Sequence, residues 1–553
     1  MYRYNDIDQA IVNARVVQFA DQTARYIDGA LSEDEFKPLR LQNGVYVERH
    51  SPLLRVAIPY GLLSSKQIRM LAHIGRTYDR DYGHFTTRQN IQFNWVKLEE
   101  VHKILGDLAS VQMHAIQTSG SCIRNVTTDH FAGIAPDERV DPRPLAELMR
   151  QWSTLNPEFA FLPRKFKVAF NGATEDRAAT GVHDLAFDLF RNDTGDVVLD
   201  VKVGGGQGRT PRLAVTIKRD LHWRDIMSYT EAILRTYNRW GRRDNIYKAR
   251  IKILVEALGA EAFAAEVEQD WNFSKCGPAT LGAGELARME AFFAPKAYLP
   301  NDQVNVDISA ARLAHPRFNA WVRHNVSGHK QAGYSAVTIS LKPLNNAPGD
   351  ATSDQMDAVA DLADRFSFGE VRVSHLQNLI LADVARRDLF NLWQALDNQS
   401  LATANAGLAT DIICCPGGDY CALANAKSIP VAAAIQAQLD TKAEEIGPLA
   451  IKMSGCINAC GHHHVGHIGI LGVDKKDEEF YQILIGGRTD TKVALGQIIG
   501  KAVPRDDVAP IIGRLTDFYL VSRADSESFI DAVERLGKDA FLDAAFGPKK
   551  ELA

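Results

Sequence analysis

Apolar positions three and four apart form one helical stripe that occurs twice in the chain. From Ser64 the stripe is Ile68, Leu71, Ala72, Gly75 and Tyr78; from Thr352 it is Met356, Val359, Ala360, Ala363 and Phe366. Each opens on a capping-box pattern, Ser64-x-x-Gln67 and Thr352-x-x-Gln355, in which cap and third residue satisfy each other's backbone donors. The period then changes to two. Phe85, Thr87, Gln89, Ile91 and Phe93 alternate in the first copy, and Val373, His375, Gln377, Leu379 and Leu381 in the second. That pattern predicts one strand per copy, with Thr86 and Arg88 on the face opposite Phe85, Ile91 and Phe93. The offset is constant, since 355 − 67 = 288 and 377 − 89 = 288. An apolar run, LLRVAIPY or YSAVTISL, precedes each copy. A gapless match of 30 residues that keeps cap, stripe and strand predicts a duplication rather than chance likeness. Helix and strand patterns in alternation place the chain in the α/β (α+β) class, with a pseudo-twofold architecture and a ligand held between specialised halves.

Composition narrows the partners. A chain of 553 residues holds several domains, and 46% hydrophobic with 24% charged residues is ordinary globular usage. Such a chain needs no metal to fold, so a metal here would serve chemistry. The balance 63 − 68 = −5 excludes a nucleic-acid partner held by bulk positive charge. The opening MYRYNDIDQA lacks a basic-then-apolar leader. Met453–Val473 lacks Asp, Glu, Lys and Arg, yet its four His, two Cys and five Gly are no membrane span. A cytoplasmic protein is expected. APKAYLPNDQ reads as a linker, and SESFIDAVERLGKDAFLDAAF as a helical tail.

Five of the seven cysteines fall within Cys414–Cys460, and the odd total argues against a disulfide framework. Cys415 and Cys421 form C-x5-C; Cys456 and Cys460 form C-x3-C. Four thiolates in glycine-rich surroundings suit a [4Fe–4S] cluster. A zinc site remains the alternative, with His462, His463, His464 and His467 as competing ligands. A cationic group lies in the other half: Arg88 in Thr86-Thr87-Arg88-Gln89, Arg124-Asn125 after TSGSC, and Lys165 and Lys167 in LPRKFKVAF. On a strand, the two lysines share one face while Phe166, Val168 and Phe170 pack on the other, and side-by-side lysines repel unless an anion is near. Gly204–Gly208 resembles a nucleotide loop, but Arg209 replaces the last glycine and Pro211 stands where a helix would start, so no direct NADPH binding is expected.

The two cysteine groups resemble those of the sirohaem-containing sulfite and nitrite reductases, and the 288-residue repeat resembles that family's internal duplication. The likeness runs from about Ser51 into the C-terminal tail. It implies a [4Fe–4S] cluster on Cys415, Cys421, Cys456 and Cys460, with Cys460 also bridging to sirohaem iron, and Cys414 as a buried neighbour. It implies an anion site of Arg88, Arg124, Lys165 and Lys167, and cofactor contacts from Thr86, Gln89, Asn125 and Asn458. Where the family usually has an acid seven residues after the last cysteine, this chain has His467. The second copy has Leu376 in place of Arg88, so one half would handle anions and the other deliver electrons. The expected layout is an N-terminal segment (1–50), a ferredoxin-like half-domain (51–118), a sirohaem-binding α/β domain (119–295), a linker (296–320), a second ferredoxin-like half-domain (321–402), the cysteine-bearing α/β domain (403–520) and the tail (521–553). The implied activity is assimilatory six-electron reduction of sulfite to sulfide, with electrons from an NADPH flavoprotein subunit or a ferredoxin. Ferredoxin-type nitrite reduction to ammonia is the nearer alternative; a non-catalytic zinc-binding α/β protein is the alternative from another class.

Overall fold

Both capping boxes close. In the computed structural model, which describes residues 2–475 and 478–547, the Ser64 and Gln67 side chains and backbones exchange hydrogen bonds of 3.0 and 3.2 Å, as do Thr352 and Gln355 at 3.1 and 3.2 Å. Residues 548–553 of the expected tail lie outside the described residues. The helices they open, Ser65–Tyr78 and Ser353–Phe366, pack on each other. A Cβ on Gly75 would meet Ser353 Oγ at 2.8 Å, so the crossing is as close as glycine allows. Arg69 pairs with Asp361 and Asp364 across this crossing, and Arg76 with Asp354 and Asp357.

The strand predicted after each helix is instead a hairpin. Tyr82–Phe85 and Ile91–Phe93 pair antiparallel around a turn at residues 86–90, and Glu370–Val373 pairs with Leu379–Ala385 around 374–378. Side chains make the turn. Thr86 Oγ1 accepts from the Arg88 and Asn90 amides at 3.3 and 3.2 Å, and Ser374 Oγ from Leu376 and Asn378 at 3.2 and 3.1 Å. Gln89 (φ 56°) and Gln377 (φ 59°) take left-handed conformations. Alternation survived in the sequence because the residues on either side of the turn are in register across the hairpin.

Each copy lends a strand to the other. Leu62–Ser64 joins the second sheet against Glu370–Val373, and its repeat equivalent Asp350–Thr352 (350 − 62 = 288) joins the first sheet against Tyr82–Phe85. The half-domains therefore share one core, in which Leu54, Ile68, Phe85 and Phe93 meet Val337, Met356, Val371 and Leu381. The stretch read as a linker is mostly helical: Asn301–Val304, Ser309–Ala314 and the start of Pro316–Asn325, whose Phe318 and Trp321 enter the same core.

The duplication extends to the two larger α/β units. Thr127–Thr128, Val168–Asn171 and Leu185–Arg191 run parallel and continue antiparallel through Val197–Val203 and Val215–His222. Ile413–Cys414, Ile451–Ser454, Ile468–Lys475, Glu478–Ile485 and Gln497–Pro504 repeat that order and those directions. In both units the loop after the second strand leads through a left-handed residue, Ala179 (φ 54°) or His462 (φ 60°), into a short 3-10 turn.

Candidate active site and cluster cradle

Two loops carry the cysteine pairs. Cys415 follows the strand Ile413–Cys414, and Cys456 and Cys460 follow Ile451–Ser454. Glycines let the loops meet: a Cβ on Gly455 would lie 2.5 Å from Ala426 O and 2.7 Å from Gly417 Cα. The Gly455 amide then donates to Cys415 Sγ at 3.2 Å, an N–H···S contact of the kind that tunes an iron–sulfur cluster. Cys415, Cys421 and Cys456 all sense the Cys460 thiol; burial first, then Cys460 for Cys415 and Glu48 for Cys421, push these two thiols up to about 12. Such thiols ionise only when a metal takes the proton's place. Among the described residues no three His, Cys, Asp or Glu converge on one ion's position. Four thiols in one cradle match the ligand count of a [4Fe–4S] cluster. Two of the histidines, His464 and His467, hydrogen-bond elsewhere, whereas neither ring nitrogen of His463 has a partner among the described residues. His463 is buried against His464 with ring centroids 4.0 Å apart, His464 Nε2 donates to Gly208 O at 3.1 Å, and His467 Nδ1 accepts from the Ala450 amide at 3.2 Å.

The first half closes over this cradle. Thr87 Oγ1 donates to Cys460 O at 2.7 Å, and Arg49 and Glu48 bind the other loop at Gly418 O and the Ala422 amide, at 3.1 and 2.7 Å. Cys460 itself is exposed, on the side where the cations gather. Lys165 and Lys167 lie just ahead of Val168–Asn171, so the lysine segment is an extended lead-in rather than strand; the alternation holds, with Phe166, Val168 and Phe170 fully buried. Lys165 is pushed down to about 8 by burial and by Arg124 and Arg250, with Cys460 opposing. Lys167 lies well below the usual lysine range through burial, Arg88, Lys165 and Arg250, with Asp184 opposing.

Around Arg88, Arg124, Lys165 and Lys167 the structure adds Arg164, Arg250 and Lys252, which sequence reading missed because no motif marks them. Asp184 is the carboxylate set against them. It is fully buried, takes two bonds of 2.8 Å from Arg250, and accepts from the Lys167 amide at 2.9 Å. Gathered cations with so little countercharge are costly without an anionic guest. A tetrapyrrole with carboxylate arms beside an oxyanion fits that demand. The Gly204–Gly208 loop borders the group: Lys252 Nζ donates to Gln207 O at 2.8 Å, and a strand follows rather than a helix, so it is no dinucleotide fingerprint.

Three expected cofactor contacts have other work. Thr86 builds the hairpin turn. Gln89 is fully buried, donating to Thr128 O and Val373 O and accepting from the Thr128 amide at 3.1, 3.1 and 3.2 Å. Asn125 Nδ2 donates to Ile58 O at 2.9 Å and Asn90 Oδ1 at 2.7 Å. Gln89 has a repeat twin: Gln377 spans Phe85 O, Cys414 O and the Cys414 amide at 3.1, 3.0 and 2.9 Å. Asn458 stays exposed between the last cysteines, with its side chain on the Cys456 thiol. Arg124 bonds Thr118 O and Gly120 O, closing its own loop.

A duplicated α/β molecule with a four-thiol cradle facing a cationic cleft is the architecture of an iron–sulfur redox enzyme acting on anions. The comparisons agree. Residues 119–275 and 408–551 match the Nitrite and sulphite reductase 4Fe-4S domain, and residues 50–111 and 328–399 the Nitrite/Sulfite reductase ferredoxin-like half domain. The chain belongs to the nitrite and sulfite reductase family, the oxidoreductases that carry sirohaem and a [4Fe–4S] cluster. It is 28% identical over 494 residues to the chloroplastic ferredoxin–nitrite reductase of Arabidopsis thaliana, covering 86% of this chain and 78% of the relative. It is 26% identical over 490 residues to sulfite reductase [ferredoxin] 1 of Mycolicibacterium paratuberculosis, covering 86% and 81%. The fold matches the Mycobacterium tuberculosis NirA protein with a TM-score of 0.77 at 23% identity, over 93% and 92% of the two chains. Family membership sets aside the zinc-protein reading. No helix among the described residues is long and apolar enough to cross a membrane.

Proposed function

We propose that the chain reduces sulfite to sulfide in a six-electron reaction, in which Cys415, Cys421, Cys456 and Cys460 would hold the cluster and Cys460 would also serve the sirohaem. The observation carrying this reading is the paired lysines: Lys165 and Lys167 stand together among arginines, beside the exposed Cys460. Bound there, the cofactor pair supplies low-potential electrons and an iron that takes the substrate. The chain's own residues do the rest. Arg88 and Arg124 offset the charge of the dianion with fixed donors. Lys165 and Lys167, their ammonium groups made more acidic by burial and by neighbouring cations, give protons to the departing oxygens. Asp184 and Arg250 hold the Lys167 backbone in line.

A reduced ferredoxin-type protein is the proposed donor. The names of the relatives support it, as does the apolar, exposed pair Leu423 and Ile457 beside Cys421 and Cys456, where a small protein would reach the cluster edge. Nitrite is the second reading, favoured by the name of the Arabidopsis relative.

Lys167→Asn separates the two. With reduced methyl viologen as donor, sulfite kcat/KM is expected to fall by roughly ten- to a hundredfold, the worth of a charge-assisted hydrogen bond, and nitrite kcat/KM by less. Equal losses would remove the argument for sulfite.

A further inference from the structure

Arg88 reaches the anion site from a turn, and an arginine on a turn needs something to hold its guanidinium. We infer that His183 is the positioning residue that does so, as a ring protonated on Nδ1 whose Nε2 accepts from Arg88. The inference rests on the proposed place of Arg88 at the anion site.

The geometry fixes each role. His183 is 1% exposed, and its Nδ1 lies 2.7 Å from Ala179 O, an acceptor only, so the proton is on Nδ1. Nε2 is then free to accept, and Arg88 Nη1 lies 2.5 Å from it. The same guanidinium donates to Thr127 Oγ1 at 3.1 Å and to Asn125 O at 2.5 Å. These partners come from the loop and strand start beneath it, and His183 closes the fork from the other side. The ring is itself anchored. The His183 amide donates to Thr180 O at 3.2 Å, and Asp176 binds the Ala178 and Thr180 amides at 3.0 and 2.8 Å. Burial, with Arg88, Lys167 and His375 close by, holds the imidazole well below its usual range, which favours the accepting form.

The duplication supplies an independent observation. The strand registers pair Val168 with Leu185 and Ile451 with Ile468, so the offset here is 468 − 185 = 283 and His183 corresponds to Gly466. A Cβ on Gly466 would sit 2.6 Å from Ile468 O, leaving no room for a side chain. Arg88 corresponds to Leu376, since 376 − 88 = 288. The half without the arginine is thus also the half without the histidine.

A double-mutant cycle on the holoenzyme tests the coupling, with sulfite and nitrite dissociation constants read from the visible spectrum at matched iron content. His183→Leu removes the acceptor and should weaken anion binding roughly tenfold, whereas His183→Gln, which keeps an acceptor at similar reach, should stay within about threefold. In an Arg88→Ala background, His183→Leu should cost less than about twofold. An equal loss in both backgrounds, or no loss in the first, overturns the inference. The crystal structure of the His183→Leu holoenzyme reads position directly: a guanidinium displaced from Asn125 O supports the inference, and an unmoved one overturns it. Unchanged anion affinity in Arg88→Ala alone would instead withdraw Arg88 from the anion site, leaving the crystallographic result to decide the role of His183.

Discussion

Cys414 and Cys460 show how surroundings decide what a thiol can do. Cys414 is 1% exposed, its amide and carbonyl are clamped by Gln377, and its sulfur donates to Cys415 O at 3.2 Å. Cys460 faces the cationic cleft with Thr87 holding its carbonyl. If Cys460 is the proposed bridge, replacing it by serine should strip or uncouple both cofactors, because a hydroxyl cannot serve as a soft thiolate ligand. Cys414→Ser and the exposed Cys276→Ser should keep nearly full iron per soluble chain, measured alongside the visible spectrum; equal iron loss in all three would mean that the ligands are misassigned. Cysteine spacing and the Lys-x-Lys pair are legible in a sequence because neighbours within one segment carry them. Thr87, His183, Asp184 and Arg250 are not, because each gains its role only when distant loops meet. Thr86 and Thr87 show the same limit: the hairpin turn gives Thr86 the amides of Arg88 and Asn90 and gives Thr87 the carbonyl of Cys460, a division that period-two reasoning cannot foresee.

At the scale of elements, the loops after equivalent strands have kept their place in the topology and changed their chemistry. Strand starts give 413 − 127 = 286 and 451 − 168 = 283, so Asp129 occupies the place of Cys415, and Arg177 that of Cys460. Where the second half has two of the proposed cluster cysteines, the first has an ion pair of 2.9 Å between Arg177 Nε and Asp129, extended by Asp137 at 2.7 Å. Burial raises the Asp129 carboxyl even with Arg177 opposing. Arg177→Met leaves that carboxylate uncompensated, and should lower the stability of the first large α/β unit by about 3–5 kcal/mol. The iron–sulfur absorbance should survive, because the four proposed cluster cysteines belong to the other unit; denaturant unfolding followed by far-UV circular dichroism and by iron–sulfur absorbance separates the two effects. This second duplication was hidden in the sequence. The helix and hairpin of the smaller repeat keep a single offset because their apolar faces share one core, whereas here the offset drifts and GATEDRAA stands opposite GCINACGH. Topology persisted where side-chain chemistry did not.

The whole molecule is a pseudo-twofold frame around an asymmetric site, and its joints must hold one half's cationic residues against the other half's cysteines. Reciprocal strand exchange makes one such joint, and Glu370 makes another. Glu370 lies in a strand of the second hairpin sheet, buried, paired with Arg372 and with Lys296 at 2.9 Å each. Arg372 reaches on to His130 O and Ala132 O, at 3.0 and 2.7 Å, in the first half's counterpart of the Cys415–Cys421 loop. Burial by itself would raise the Glu370 pKa, but Arg372, Lys296 and Arg143 outweigh it and hold the carboxyl well below the usual range. A depressed carboxylate contributes its stability fully above the unfolded-chain value of about 4.5 and loses it as pH falls toward the folded value. Glu370→Gln should then be less stable than the parent by about 3–5 kcal/mol at pH 7, because Arg372 and Lys296 lose their countercharge while Arg143 keeps Asp141. The gap should narrow steadily below about pH 4.5, as the parent's own carboxyl begins to protonate. Urea midpoints of both proteins across that range measure the gap, and taking the difference cancels the acid loss of cofactor that both share. A gap independent of pH would mean that Glu370 contributes by shape rather than charge, and that the halves are held by the exchanged strands alone.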